Sequence, residues 1–160
     1  MQRRSFVGGS AMVWGGNTER DMTILVVVAG NLTEIRYQGE LIQRYVVPFI
    51  QAQTNNVTFQ QDNARSHVAR IVCDNLTQQN VDVLPGQEVS LDLSPIEHVW
   101  DEMERQLRHL QNQPVTLVEI GPALIRMWNN IQQALFNTLI RTMRRHCQAC
   151  INANGGHTRY

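Results

Sequence analysis

The run ILVVVA, from Ile24 to Ala29, is followed within two residues by a change of hydrophobic period. No other feature constrains the fold so strongly. A continuous apolar, mostly β-branched run suits a strand covered on both faces, and it falls far short of the roughly 20 residues needed to cross a bilayer. After Gly30 and Asn31, the residues Leu32, Ile35, Leu41, Ile42, Tyr45, Val46 and Phe49 recur at helical spacing to about Ala52. Pro48 is expected to kink or break that helix near its end. A shorter strand, Ala11 to Trp14, precedes the run across the turn-rich GGNTERD, close enough to form a hairpin with it.

Alternation at Val57 and Phe59 marks a further strand over 57–61, and the segment from about Ser66 to Gln79 reads as a helix. Val81 to Leu84 is another short apolar strand, closed by Pro85-Gly86. From Ser94 the chain is helical again. Ile96, Val99, Trp100, Met103, Leu107 and Leu110 form its apolar stripe, with ion pairs expected at Asp101–Arg105 and Glu104–Arg108. Two more helices follow Pro114, one through Trp128 and one from about Ile131 to Ile151, before a loop-like tail. Strands giving way to helices predict an α/β fold with a mixed sheet flanked by helices, whose ligand sites gather at strand ends. A length of 160 residues suits one domain, with a core over about 11–112 and C-terminal helices over about 115–151.

A formal net charge of zero supplies no general electrostatic case for a nucleic-acid partner. The distribution is less neutral: all 14 basic side chains are arginine, and Arg141, Arg144 and Arg145 lie close together, with Arg159 in the tail. A guanidinium pairs with phosphate through a planar fork. Three cysteines argue against a disulfide-stapled secreted domain. Cys147 and Cys150 form a C-x-x-C beside His146 without a second pair at zinc spacing, which points to reduced thiols in an intracellular protein. The opening QRRSFVGG looks like a twin-arginine export signal, but the following segment is too glycine-rich for the apolar region such a signal needs.

Two acids carry the candidate chemistry. Asp62 ends the strand-like VTFQQD and is followed by Asn63, so an Asx turn explains it as well as a ligand role does. Glu97 sits in Ser94-Pro95-Ile96-Glu97, which has the form of a capping box. For His67, spacing alone favours a helix start or a packing position over a site. The chemical alternative is a hard divalent cation such as magnesium, which takes carboxylate oxygens; two such ions serve phosphodiester chemistry.

The runs QQDNARSHVAR and LDLSPIEHVWDEM closely resemble the catalytic domain of mariner-superfamily transposases of the DDE type, and 34 residues separate Asp62 from Glu97, the spacing of one major branch. MVWGG, GNLTEIRY and the ending RRHCQACINANGGHTRY are similar to the same family. The resemblance implies a ribonuclease-H-like fold in which Asp62 and Glu97 are catalytic carboxylates holding Mg²⁺ or Mn²⁺, with Asn63, His67 and Asp92 lining the site. It also implies DNA cleavage and strand transfer at transposon ends, DNA and a second copy as partners, a DNA-binding role for Arg141, Arg144 and Arg145, and a nuclear location.

The family's first aspartate, on the first strand in a W-x-D-E-S-like segment, has no counterpart here. Asp21 sits in a turn and Asp92 matches the family's P-D-L-N loop, so the chain is expected to lack the first strand and to have little activity alone. The paired N-terminal helix-turn-helix units have no match either. Ser66, Leu91 and Ser94 depart from the family's usual proline, proline and asparagine. The alternatives to an enzyme are a nucleic-acid-binding remnant and an interaction module built on Leu135, Leu139 and Met143. Ordinary core packing is the preferred account of that leucine and methionine stripe, since amphipathic helices mostly face their own domain.

Overall fold

The computed structural model describes residues 2–6, 9–84, 94–112, 114 and 116–153. They fall into two compact units: Met1–Gly16 with Thr23–Glu88, and Asn17–Met22 with Val89–Tyr160.

The first unit is built on a three-stranded antiparallel sheet in the order β1 (Gln2–Phe6), β2 (Gly9–Trp14), β3 (Val26–Val28). β2 and β3 form the expected hairpin, with Met12 opposite Val28 and Trp14 opposite Val26. β1 is an element the sequence reading missed; it pairs with β2 from Gln2–Val13 to Phe6–Gly9. β3 is shorter than the apolar run. Thr23 explains one end of it, because its Oγ1 accepts from the Gly16 amide at 2.8 Å and donates to the Ile24 carbonyl at 3.0 Å, closing the hairpin through a side chain. Nor is the run covered on both faces: Leu25 and Val28 are buried, but Ile24 is 61% exposed.

Gly30, at φ 70°, turns the chain into the helical region. Thr33 caps α1 (Glu34–Arg36), its side chain accepting from the Arg36 amide. The Arg36 guanidinium binds both Glu40 oxygens at 2.8 Å and the carbonyls of Ala29 and Asn31, fastening the helix start to the end of β3. A π-helical run (Tyr37–Val46) and α2 (Val47–Gln51) continue without interruption. The core residues Tyr37, Leu41, Ile42 and Val46 recur at steps of four and five, which the wider winding lines up on one face. Pro48 does not break the helix as expected. It occupies the first turn of α2, after Val47 has donated back to the Ile42 carbonyl in the i→i−5 register.

α3 (Arg70–Gln78) starts later than the sequence predicts, because residues 65–67 form a separate turn. It ends in a Schellman closure: Asn80 adopts φ 53°, its amide donates to Thr77, and the Val81 amide donates to Leu76. Val81 is buried with Trp14, Val28, Leu41, Ile42, Val72 and Leu76 in the core of this unit. The expected strands over 57–61 and 81–84 reduce to one parallel bridge, Phe59 to Val83, held by Phe59 N–H to Asp82 O at 2.7 Å and Leu84 N–H to Phe59 O at 2.9 Å. The named strands are therefore all antiparallel, and the mixed character expected of the sheet is confined to that bridge.

The second unit is helical. α4 (Pro95–Arg108) buries Val99, Trp100, Met103 and Leu107, most of the predicted stripe, while Leu110 is partly exposed beyond its end. Of the expected ion pairs, Glu104–Arg108 forms, and Arg105 binds Glu102. α5 (Leu117–Asn130) begins at Thr116, whose amide donates to Glu119 Oε2. α6 (Gln133–Asn152) contributes one fully buried side chain, Phe136. The indoles of Trp100 and Trp128 stack at 5.3 Å and 19°, and Phe136 meets Trp128 edge-on at 5.9 Å. The turn at Asn17–Met22 docks on α6: Gln133 Nε2 donates to the Thr18 and Glu19 carbonyls, and Arg141 Nε donates to Glu19 Oε1 at 3.0 Å.

Among the described residues, no helix is long and apolar enough to cross a membrane.

Candidate functional site

Asp62 follows the Phe59 bridge by three residues, so its position is set by the backbone bonds that join Phe59 to Asp82 and Leu84. Its neighbour Gln61 is held from both ends of its amide. Tyr37, at the start of the π-helical run, donates its hydroxyl to Gln61 Oε1 at 2.8 Å, and Gln61 Nε2 donates to the His67 carbonyl at 3.3 Å. The residues between Asp62 and α3 then turn back: the His67 and Val68 amides both donate to the Ala64 carbonyl.

That turn brings His67 under Asp62. The imidazole is 1% exposed and stacks on the Tyr37 ring with centroids 4.1 Å apart and planes 27° from parallel. His67 Nδ1 pairs with Asp62 Oδ1, and the same oxygen accepts from the Ala64 amide at 3.0 Å. The Asx turn anticipated at Asp62 is thus present, and it coexists with a carboxylate that keeps 46% of its side-chain surface exposed. The two explanations of this residue are compatible.

Electrostatics follow the geometry. Partial burial pushes the Asp62 pKa up, but the hydrogen bond and charge of His67 and the Ala64 amide outweigh it and hold the carboxyl well below the usual range. Burial, and then the negative charge of Asp62, push the Tyr37 phenol far above its ordinary value. The result is a fixed, ionised carboxylate presented to solvent above a buried aromatic and imidazole floor. An anionic oxygen donor of this kind suits a hard cation such as Mg²⁺.

The other candidates are placed as follows. Asn63 is exposed beside Asp62. Glu97 is the third residue of α4, half-buried, in the second unit; its amide donates to the Ser94 carbonyl at 3.1 Å. The Ser94 side chain makes no capping bond, so the serine half of the expected capping box is not formed. Arg141, Arg144 and Arg145 are all exposed on α6, and Arg141 is already engaged by Glu19. Asp92 and Arg159 lie outside the described residues. Cys73, Cys147 and Cys150 are free thiols, and among the described residues no group of three or more His, Cys, Asp or Glu side chains converges to hold a metal. An open depression of about 380 Å³ lined by Gln38, Arg70, Ile71, Asp74, Asn75 and Gln78 contains none of the candidates.

Sequence reasoning missed Tyr37 and the clamp formed by Gln61. Tyr37 stands four residues before Leu41 and is buried with it on the inner face of the π-helical run, but the stripe drawn for that helix left it out. Gln61 was visible as part of QQDN, but nothing local shows that its amide bridges a tyrosine and a backbone carbonyl.

No family model matches the chain. It is 32% identical over 158 residues to the transposable element Tcb1 transposase of Caenorhabditis briggsae, a match covering 96% of this chain and 55% of that protein. It is 33% identical over 156 residues to the transposable element Tc1 transposase of Caenorhabditis elegans, with the same coverage. The chain thus spans about half the length of the curated relatives it matches. Among solved structures, the Mos1 transposase catalytic domain with raltegravir and Mg aligns over 99% of this chain and 82% of its own, at a TM-score of 0.84 and 23% identity. The Mos1 mariner paired end complex with Mn aligns over 99% of this chain and 48% of its own, at a TM-score of 0.82 and 22% identity. These likenesses give the α/β fold of a mariner catalytic domain. Taken with the Caenorhabditis relatives, they make this chain a homologue of the Tc1/mariner transposases over nearly its whole length.

Proposed function

We propose that this chain is a transposase catalytic domain of the kind that cleaves and rejoins phosphodiester bonds at transposon ends, with Asp62 and Glu97 as metal-binding carboxylates and with little activity by itself, since the family's first aspartate has no counterpart in it. The observation that carries the reading is Asp62 itself: an ionised carboxylate, fixed by His67 and Ala64 and still open to solvent, inside the fold of a mariner catalytic domain. Glu97 enters by its place in SPIEH, where the family's glutamate stands, and by its seat in the first turn of a helix, where a carboxylate is firmly carried.

Mg²⁺ or Mn²⁺ is the cation the oxygen donors suit, and the Mos1 catalytic domain has been solved with each. A divalent ion supplies Lewis-acid polarisation of a phosphoryl oxygen and lowers the pKa of bound water. The chain's own residues hold and orient: Asp62 presents oxygen, Asn63 and His67 border it, and Arg141, Arg144 and Arg145 offer guanidinium groups to the DNA backbone. DNA as partner and a paired assembly with a second copy are supported by the Mos1 paired-end complexes. A transposase acting on chromosomal DNA works in the nucleus.

The test is Mn²⁺-induced broadening of the backbone amide signals of the full chain. The signals of Asn63 and Ala64 should broaden in the wild type, lose the effect in Asp62→Asn and show a reduced effect in Glu97→Gln. Broadening at those signals that is indifferent to both substitutions would refute the assignment. Duplex DNA binding should weaken steeply between 50 and 200 mM salt, as phosphate contacts require.

A further inference from the structure

The residue most in need of a reason is His67. A buried imidazole is costly unless both ring nitrogens are matched, and an apolar side chain would fill the same volume without that cost. Here Nδ1 lies against Asp62 Oδ1, and among the described residues no other donor or acceptor meets either ring nitrogen. The residue is nonetheless fixed through its ring and its backbone. Tyr37 covers one face, Gln61 holds its backbone carbonyl, and the Ala64 carbonyl anchors its amide. Such a group is placed to act on Asp62 alone.

We propose that His67 is a positioning residue: a rigid donor, backed by Tyr37 and Gln61, that fixes the plane of the Asp62 carboxylate for an incoming divalent cation. Oδ1 is met from two directions, by the imidazole Nδ1 lying against it and by the Ala64 amide that donates to it, and this restrains rotation of the carboxylate about its own bond. Groups that orient a metal-binding carboxylate or imidazole in this way set affinity without touching the ion, and their loss commonly costs 10- to 100-fold in binding. The frame is unusual in its reach, because it borrows Tyr37 from the start of a helix 24 residues before the glutamine it holds. The assignment rests on the metal-ligand reading of Asp62 given above, and the experiment separates the two.

Mn²⁺ is titrated into the full chain as wild type, Asp62→Asn, His67→Phe and His67→Asn, with affinity read from the broadening at Asn63 and Ala64. His67→Phe keeps a ring on Tyr37 and removes the donor; His67→Asn restores a side-chain N–H near the same place. The expected result is a loss of about tenfold or more in His67→Phe, with substantial recovery in His67→Asn, a rescue that a merely structural role would not produce. Wild-type affinity in His67→Phe, when Asp62→Asn has lost its binding, overturns the positioning role and leaves the metal reading standing. If Asp62→Asn binds as the wild type does, the metal reading falls. The positioning role then rests on the metal-free imidazole ¹H–¹⁵N spectrum: Nδ1 carrying the proton beside a bare Nε2 supports it, and the opposite tautomer overturns it. Should His67→Phe fail to fold, Gln61→Leu is the substitute, and the affinity loss should be smaller and in the same direction; no loss counts against the proposal.

Discussion

The Tyr37 hydroxyl donates to Gln61 Oε1 at 2.8 Å, tying the first turn of a helix to the residue that precedes the candidate carboxylate. Tyr37→Phe removes that bond and keeps the ring under His67. The expected cost is about 0.5–1.5 kcal/mol, the ordinary net worth of one such hydrogen bond, measured by urea unfolding at neutral pH. The same substitution has an alkaline signature. The folded-state pKa of Tyr37 is raised above its ordinary 10.0, so its contribution is intact below pH 10 and is lost as the unfolded chain ionises above it. Stability of the wild type should therefore fall more steeply above pH 10 than that of Tyr37→Phe.

Asp62 gives the opposite sign. Its pKa is depressed in the folded state, so the stability it contributes is present above the ordinary value of 3.8 and is lost as the pH falls below it. Acid unfolding followed by circular dichroism should be shallower below pH 4 in Asp62→Asn than in the wild type. Identical profiles would mean that the pairing with His67 does not form in solution. The carboxylate is nearly half exposed, so solvent screening keeps the effect modest.

Gly39 lies inside the π-helical run, and a β-carbon built on it meets no heavy atom within 4 Å. Gly39→Ala should stabilise the first unit by about 0.5–1 kcal/mol by restricting the unfolded backbone. Differential scanning calorimetry would show the midpoint rising. A fall would mean that the run depends on glycine's freedom at this position.

Trp128 is fully buried between Trp100 and Phe136. Trp128→Ala is expected to cost about 3–5 kcal/mol, since a cavity of that size cannot close around the two remaining rings. Guanidinium unfolding measures the loss, and near-ultraviolet circular dichroism should show the stacked-indole signal disappearing.

Much of this fold could be read from the chain. The stripe on α4 shows itself because Val99, Trp100, Met103 and Leu107 repeat at 3.6-residue spacing, and the β2–β3 hairpin follows from two apolar runs separated by turn formers. The failures have physical causes. β1 went unread because Gln2, Arg3 and Arg4 carry no apolar alternation, and their pairing is dictated by β2. The π-helical winding went unread because a period near 3.6 was assumed across Leu41, Ile42 and Val46, which also fit steps of four and five. The candidate site was legible at Asp62, whose flanking residues form a family motif. It was not legible at Tyr37, since the contact that matters joins segments far apart in sequence and depends on how the intervening helix is wound.

The turn at Asn17–Met22 belongs with α6, although the strands on either side of it belong to the other unit. Each unit is therefore assembled from two stretches of polypeptide, and the stretches alternate along the backbone. A single scission at any one peptide bond, by a protease or by splitting the coding sequence, cannot yield both units whole. Dissecting this molecule into independent pieces calls for rewiring the hairpin as well as cutting the chain.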